Sequence, residues 1–340
     1  MKMKGTGTWI GVTVLAVALG PLAIPTSHAQ RAAGMSRVGW LEVCGPGPQR
    51  PNFNIFRRRL AELGFVEGKN LIIEQRFADC RYDRVSGLAA ELVRAPVDVL
   101  FTLGTRASRI VAETVKATPL VVYSCDPFEH VTRLARGSEN LTGVTCMTTE
   151  LSPKRLELLH EAVPEASRVM FVHDPQAAPN AWKLTQEAAP RLGITLQQAP
   201  MRTAEELLPQ LAILTKERPD ALFVSSDTLL SSYPRPQQLA DFAIKAHLPM
   251  INAFRVFTDA GGLMSYGATT SELYTSGAEQ VAKVLGGTQP SELPVREATR
   301  FELVINNSTA KTIGLTIPPS LLAAPTMSSS DEATQVRHRS

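Results

Sequence analysis

The chain predicts an α/β fold of two lobes, each a doubly wound parallel sheet. Three observations lead there. Short runs of β-branched and aliphatic residues alternate with helix-length amphipathic segments; the alternation starts afresh near Arg168; and strand and helix units remain after Ala260-Gly261-Gly262 that an ordinary tandem pair would not need. Strands separated by helix-length connections imply right-handed crossovers and parallel pairing.

In the first half, strands are expected at Val38 to Val43, Leu71 to Glu74, Val97 to Phe101, Leu120 to Tyr123 and Gly143 to Thr145. Between them, Asn52 to Leu63, Asp83 to Arg94 and Thr105 to Val115 repeat apolar residues every three or four positions, as helices packed on a sheet do. The second half offers strands at Arg168 to Val172, Ile194 to Leu196, Ala221 to Val224 and Met250-Ile251. Its helices lie near Lys154 to Ala162, Ala177 to Arg191, Ala204 to Lys216 and Arg235 to Ala246. After Gly262 come a strand at Leu263 to Ser265, a helix from about Thr270 to Leu285, and a last pair at Phe301 to Ile305 and Ser308 to Ile313. Gly286-Gly287 and Pro290 to Pro294 read as a linker, so this tail is expected to recross between the lobes and tie them together.

The ends are different in kind. Lys2 and Lys4 precede an apolar stretch from Trp9 to about Leu19, and Ser27-His28-Ala29 has the small-residue pattern that signal peptidase accepts. Residues 1–29 therefore read as a signal peptide. The apolar stretch is about a dozen residues, short of the ~20 of a spanning helix, and no later segment approaches that length. Gln30 stands where a lipoprotein would carry cysteine, so a soluble exported product without membrane insertion is expected. From Pro325 onward the polar, Ser-rich residues 325–340 show no apolar periodicity and are expected to be disordered.

A formal charge of +3 that includes the two signal lysines leaves the rest of the chain near neutrality, and nothing argues for nucleic acid. Arg57-Arg58-Arg59 lies among Phe53, Phe56, Leu60 and Leu63 at helical spacing and reads as a solvated face. Four cysteines, Cys44, Cys80, Cys125 and Cys146, fall in the first half of a chain bound for an oxidising compartment, and they allow three pairings. In a sheet ordered 2-1-3-4-5, strands one and two are neighbours, as are four and five, while strand four lies roughly 10 Å from strand one. That favours Cys44 with Cys80 and Cys125 with Cys146, the alternative being free buried thiols. No CxxC spacing or histidine pair suggests a metal, and no cofactor is expected.

Open parallel sheets bind ligands beyond the carboxyl ends of their strands. Gly104 and Thr105 follow the third strand and open a helix whose N-terminus suits a carboxylate, though Thr105 also fits a plain cap. Asp126, Asp174 and Asp227 each follow a strand; Asp174 before Pro175 reads better as a cap, whereas Asp126 and Asp227 fit cap and ligand contact equally. Ser226 stands in a hydroxyl cluster beside Asp227. Tyr266 ends the strand after Gly262 and suits either stacking on a flat ligand or the core. Phe254, Arg255 and Glu150 complete the candidates. Catalytic motifs are missing: there is no GxSxG, HExxH or Walker A pattern, and Gly64 to Lys69 is one residue short of a phosphate loop.

Several stretches carry a resemblance. Phe56 to Gly64 with Phe65-Val66-Glu67-Gly68-Lys69-Asn70 resembles the opening of a large bacterial family of ABC-transporter substrate-binding proteins, some of them tryptophan or tyrosine binders. Tyr82-Asp83-Arg84, Asp126-Pro127, Leu141 to Val144, Glu150 to Leu159, Gly261 to Gly267, Phe301 to Asn306 and Gly314-Leu315 continue it, so that it covers Val38 to Ala323. The resemblance implies a type I periplasmic binding protein with a three-segment hinge. With it, lobe 1 is expected at 36–147 plus 262–294 and lobe 2 at 148–261 plus 295–324. It implies a monomeric periplasmic receptor that captures a small polar ligand, such as an amino acid, and delivers it to the membrane permease of an ABC transporter. Two alternatives stay open: a sensor of the same fold that feeds a signalling protein, and an exported enzyme. Neighbouring permease and ATPase genes would speak against the sensor.

Overall fold

The structure, a computed structural model, describes residues 34–45, 51–125, 131–132, 135–323 and 337–339. The expected signal peptide at 1–29, Asp126, and residues 325–336 of the tail lie outside the described residues. Among the described residues no helix is long and apolar enough to cross a membrane.

Two sheets organise the chain. The first contains β1 (Ser36–Glu42), β2 (Leu71–Phe77), β3 (Val99–Leu103), β4 (Leu120–Ser124), β5 (Leu141–Thr145) and β11 (Arg296–Glu297), in the order β2-β1-β3-β4-β5-β11. Its strands are parallel throughout. The second contains β6 (Arg168–His173), β7 (Thr195–Pro200), β8 (Ala221–Val224), β9 (Met250–Asn252), β10 (Met264–Ala268), β12 (Phe301–Asn306) and β13 (Arg337–Arg339), in the order β7-β6-β8-β9-β10-β12-β13. Only the β10–β12 pair is antiparallel there.

Burial follows sheet position. Every residue of the central strand β3 is buried, and its sequence VLFTL is nearly continuous in apolar character because helices cover both faces. Edge strand β7, TLQQAP, buries only Ala199. On one face of the first sheet, Leu41, Leu100 and Val122 pack against Leu88, Leu92 and Val111 of the helices Val85–Arg94 and Thr105–Thr114. On the other, Trp40, Phe56 and Phe101 form an aromatic cluster with ring centroids 4.8 to 5.3 Å apart. Tyr274, Ala278 and Val281 of the helix Thr270–Leu285 close that face.

That helix explains the long tail. The chain leaves the first sheet through residues 146–151, returns to it through Thr269 after β10, and leaves again through 298–300 after β11. Three crossings result. Two boundaries differ from the sequence reading. Residues 262–268, expected in lobe 1, include β10, which pairs in the second sheet; Arg296–Glu297, expected in lobe 2, pair with β5 of the first. The reason is burial: all five residues of β10 are buried, and register with β9 and β12 covers its edges. Part of the tail expected to be disordered, Arg337–Arg339, forms a strand beside β12.

Both expected cysteine pairs lie at bonding distance, Cys44 with Cys80 at a Cα separation of 4.2 Å and Cys125 with Cys146 at 5.0 Å. The first joins the ends of neighbouring β1 and β2. The second joins the end of β4 to the start of the first crossing.

Candidate functional site

The carboxyl ends of both sheets face a small cavity. From the first lobe come Thr105, at the start of its helix, and Cys125, after β4. Thr148, Thr149, Ser152 and Arg155 come from the first crossing and the helix Ser152–Ala162. Ala177, Ala178 and Ala181 follow β6, while Phe223, Ser225, Ser226 and Asp227 lie at and beyond the end of β8. In the second sheet the order reverses between β6 and β8, so this wall is a topological switch point, where open α/β sheets place ligands.

Three expected residues, Thr105, Ser226 and Asp227, line the cavity. Thr105 is buried, and its hydroxyl accepts the Cys125 N–H at 2.9 Å. The Oγ of Ser226 is buried without a hydrogen-bond partner. Asp227 caps the short helix Thr228–Ser231, accepting the Leu230 N–H at 2.9 Å, and it also accepts the Asp174 N–H at 3.0 Å and the Ser225 hydroxyl at 2.5 Å. Cap and cavity wall are thus one residue. Burial pushes its carboxyl up to about 6, against the pull of these donors.

The others stand apart from the lining. Gly104 is the N-cap of the Thr105 helix, at φ +95°, and a Cβ there would come 2.1 Å from Thr228 Oγ1 of the opposite lobe. Glu150 lies in the turn before the helix Ser152–Ala162. Phe254 packs with Cys146, Ala268 and Ala298, residues in or next to the three crossings. Tyr266 belongs to the core of the second lobe, and its carbonyl accepts from Arg155. Asp174 does not cap a long helix: it accepts the Gln176 N–H and meets Arg106 of the first lobe at 3.3 Å.

Arg155 is the group that sequence reasoning missed. It is 2% exposed, and its Nη atoms donate to the Tyr266 carbonyl at 3.2 Å, to Ser152 Oγ at 2.8 Å and to the Thr148 carbonyl. Burial lowers its guanidinium to about 9, still cationic at neutral pH. The signal was present: Arg155 shares the inward stripe of its helix with Ser152, Leu156, Leu159 and Ala162, where a charge is out of place.

Other groups hold the lobes together around the cavity. Arg106 stacks over the Tyr82 ring at 4.0 Å while pairing with Asp174, and Arg109 donates to the Gln176 carbonyl at 3.2 Å. Leu229 of the second lobe is fully buried among first-lobe side chains. Arg235 directs Nη2 at Cys80 Sγ and Cys44 Sγ, at 2.8 and 3.2 Å.

A family model for the ABC transporter substrate binding protein matches residues 53–328. The chain belongs to that family. It is 21% identical over 266 residues to a tyrosine-binding protein of Clostridioides difficile (strain R20291), covering 76% of this chain and 75% of that one. Among solved structures it is similar to a conserved domain protein from Vibrio cholerae, with a TM-score of 0.76, 23% identity and coverage of 85% and 98%. It is also similar to an ABC domain in complex with L-Trp from Streptococcus pneumonia, with a TM-score of 0.71, 20% identity and coverage of 84% and 97%. These likenesses agree with a type I periplasmic-binding fold. The family is one of transport substrate-binding proteins.

Proposed function

We propose that this substrate-binding protein is the periplasmic receptor of an ABC import system, closing its two lobes around a small polar compound and presenting it to a membrane permease. The observation that carries this reading is the cavity itself: its wall takes Thr105 from one lobe and Ser226 and Asp227 from the other, so a ligand there would be gripped from both sides. With walls drawn from both lobes, entry and release of a ligand call for the lobes to part. The three crossings are the natural hinge. Two disulfide pairs fit an oxidising compartment. Binding without covalent change is the activity, and the relatives named for tyrosine and L-Trp support an amino acid or related compound as the ligand.

Thermal-shift screening of protein stripped of ligand by unfolding and refolding tests the proposal, using amino acids, short peptides, sugars and organic acids. A ligand at 100 times its dissociation constant should stabilise by about 2.7 kcal/mol, a rise of several degrees. No shift with any class would count against a receptor.

A further inference from the structure

Arg155 is a buried cation of the cavity wall whose hydrogen-bond partners do not neutralise it. We propose that the captured ligand carries a carboxylate and that Arg155 is the residue that reads it. The inference rests on the receptor reading and adds to it the chemical class of ligand.

Three observations converge. Arg155 is buried, lines the cavity, and spends its Nη donors on two backbone carbonyls and one hydroxyl, while its Nε has no partner. Those acceptors are dipoles, and among the described residues no carboxylate forms an ion pair with this guanidinium; Glu150 acts on it through space. A buried charge without a counter-ion is costly, and an anion placed in the cavity offsets that cost. Secondly, two further donors face the same space. Ser226 Oγ is unpartnered, and Thr105, whose oxygen already accepts from Cys125 N–H, keeps its own proton to give. Thirdly, Asp227 forms no ion pair with Arg155, and its hydrogen bonds go to three other protein donors.

The rest of the wall selects among anions. Asp227 in the same cavity opposes a doubly charged group such as phosphate, while Ala177, Ala178, Ala181 and Phe223 offer an apolar surface for the carbon part of a molecule. A monocarboxylate with a compact apolar portion fits both conditions. A sugar would leave the cation unanswered, and a purely cationic ligand would face it.

Matched pairs test this on the unaltered, refolded protein. Calorimetric titrations would compare L-tyrosine, L-tryptophan, L-leucine and benzoate with their primary amides, alongside ribose and inorganic phosphate. The expected result is binding of at least one carboxylate, with its amide weaker by roughly 100-fold, the scale of a lost buried charge-assisted hydrogen bond. In Arg155→Met the preference for acid over amide should collapse, and in Arg155→Lys part of it should return. Because the pair comparison needs only the wild-type chain, a variant that misfolds does not remove the test. Equal binding of acid and amide, or binding of ribose or phosphate with no carboxylate bound, overturns the carboxylate assignment and leaves the receptor standing. Absence of binding by every probe overturns both.

Discussion

Arg155 and Asp227 show how one wall can hold opposite charges for different reasons. The guanidinium keeps its charge with carbonyl dipoles around it, whereas the carboxyl is held by donors and yet pushed up to about 6 because desolvation outweighs them. Its folded value lies above the unfolded one, so the stability it contributes is fully present below about pH 4 and is lost as pH rises through 6. Asp174 adds to the upward push, and Arg235 and Tyr82 also sense Asp227 electrostatically. Asp227→Asn keeps an acceptor for the Leu230 N–H and removes the charge. Its melting temperature relative to wild type should therefore climb between pH 4 and 7 and level off above, by no more than roughly 3 kcal/mol in stability. Differential scanning calorimetry across that range reads the trend; a constant offset would show that Asp227 titrates normally. Asp227 and Thr105 were legible in the sequence as residues following strands. Arg155 was not, because it sits on a helix that the strand-end rule does not reach, and only its place in an apolar stripe betrayed it.

At the scale of elements, the parallel strands were legible because each is an apolar run flanked by amphipathic helices, and the doubly wound order expected for the first five strands is the one the first sheet adopts. The partner of β10 was not. Its five buried residues suit any sheet interior, and nothing local says that it pairs with β9 and β12 while the next helix returns to the first lobe. The packing of Phe254 was not legible for a similar reason: the segments that meet around it are distant in sequence. The cysteine pairs depend on strand order alone. Closing loops with sequence separations of 36 and 21, the bridges should each stabilise by about 3 to 4 kcal/mol in the chain-entropy account. Replacing Cys44 and Cys80 together by serine should lower the urea midpoint accordingly, and it should also loosen the interlobe contact of Arg235. Peptide mapping without reduction that finds Cys44 joined to Cys125, or free thiols, would contradict the pairing.

For the molecule as a whole, function depends on two lobes that meet closely and part again. Gly104 marks a close approach of the two lobes, where a methyl group would collide with Thr228 Oγ1 and where φ of +95° already strains any other residue. Gly104→Ala should weaken ligand binding by about tenfold or more, since strain of ~1 to 3 kcal/mol falls on the closed form. Adding Thr228→Ala should restore part of that loss; additivity of the two changes would mean that the contact does not matter to closure.

Capture of an unmodified small molecule between the lobes is the central claim, and calorimetric titration of ligand-stripped protein, followed by mass spectrometry of the recovered ligand, tests it most directly. Saturable binding of one molecule per chain is expected, with the compound returned chemically unchanged. Conversion of the compound, or no heat of binding across amino acids, organic acids, peptides and sugars, would contradict it.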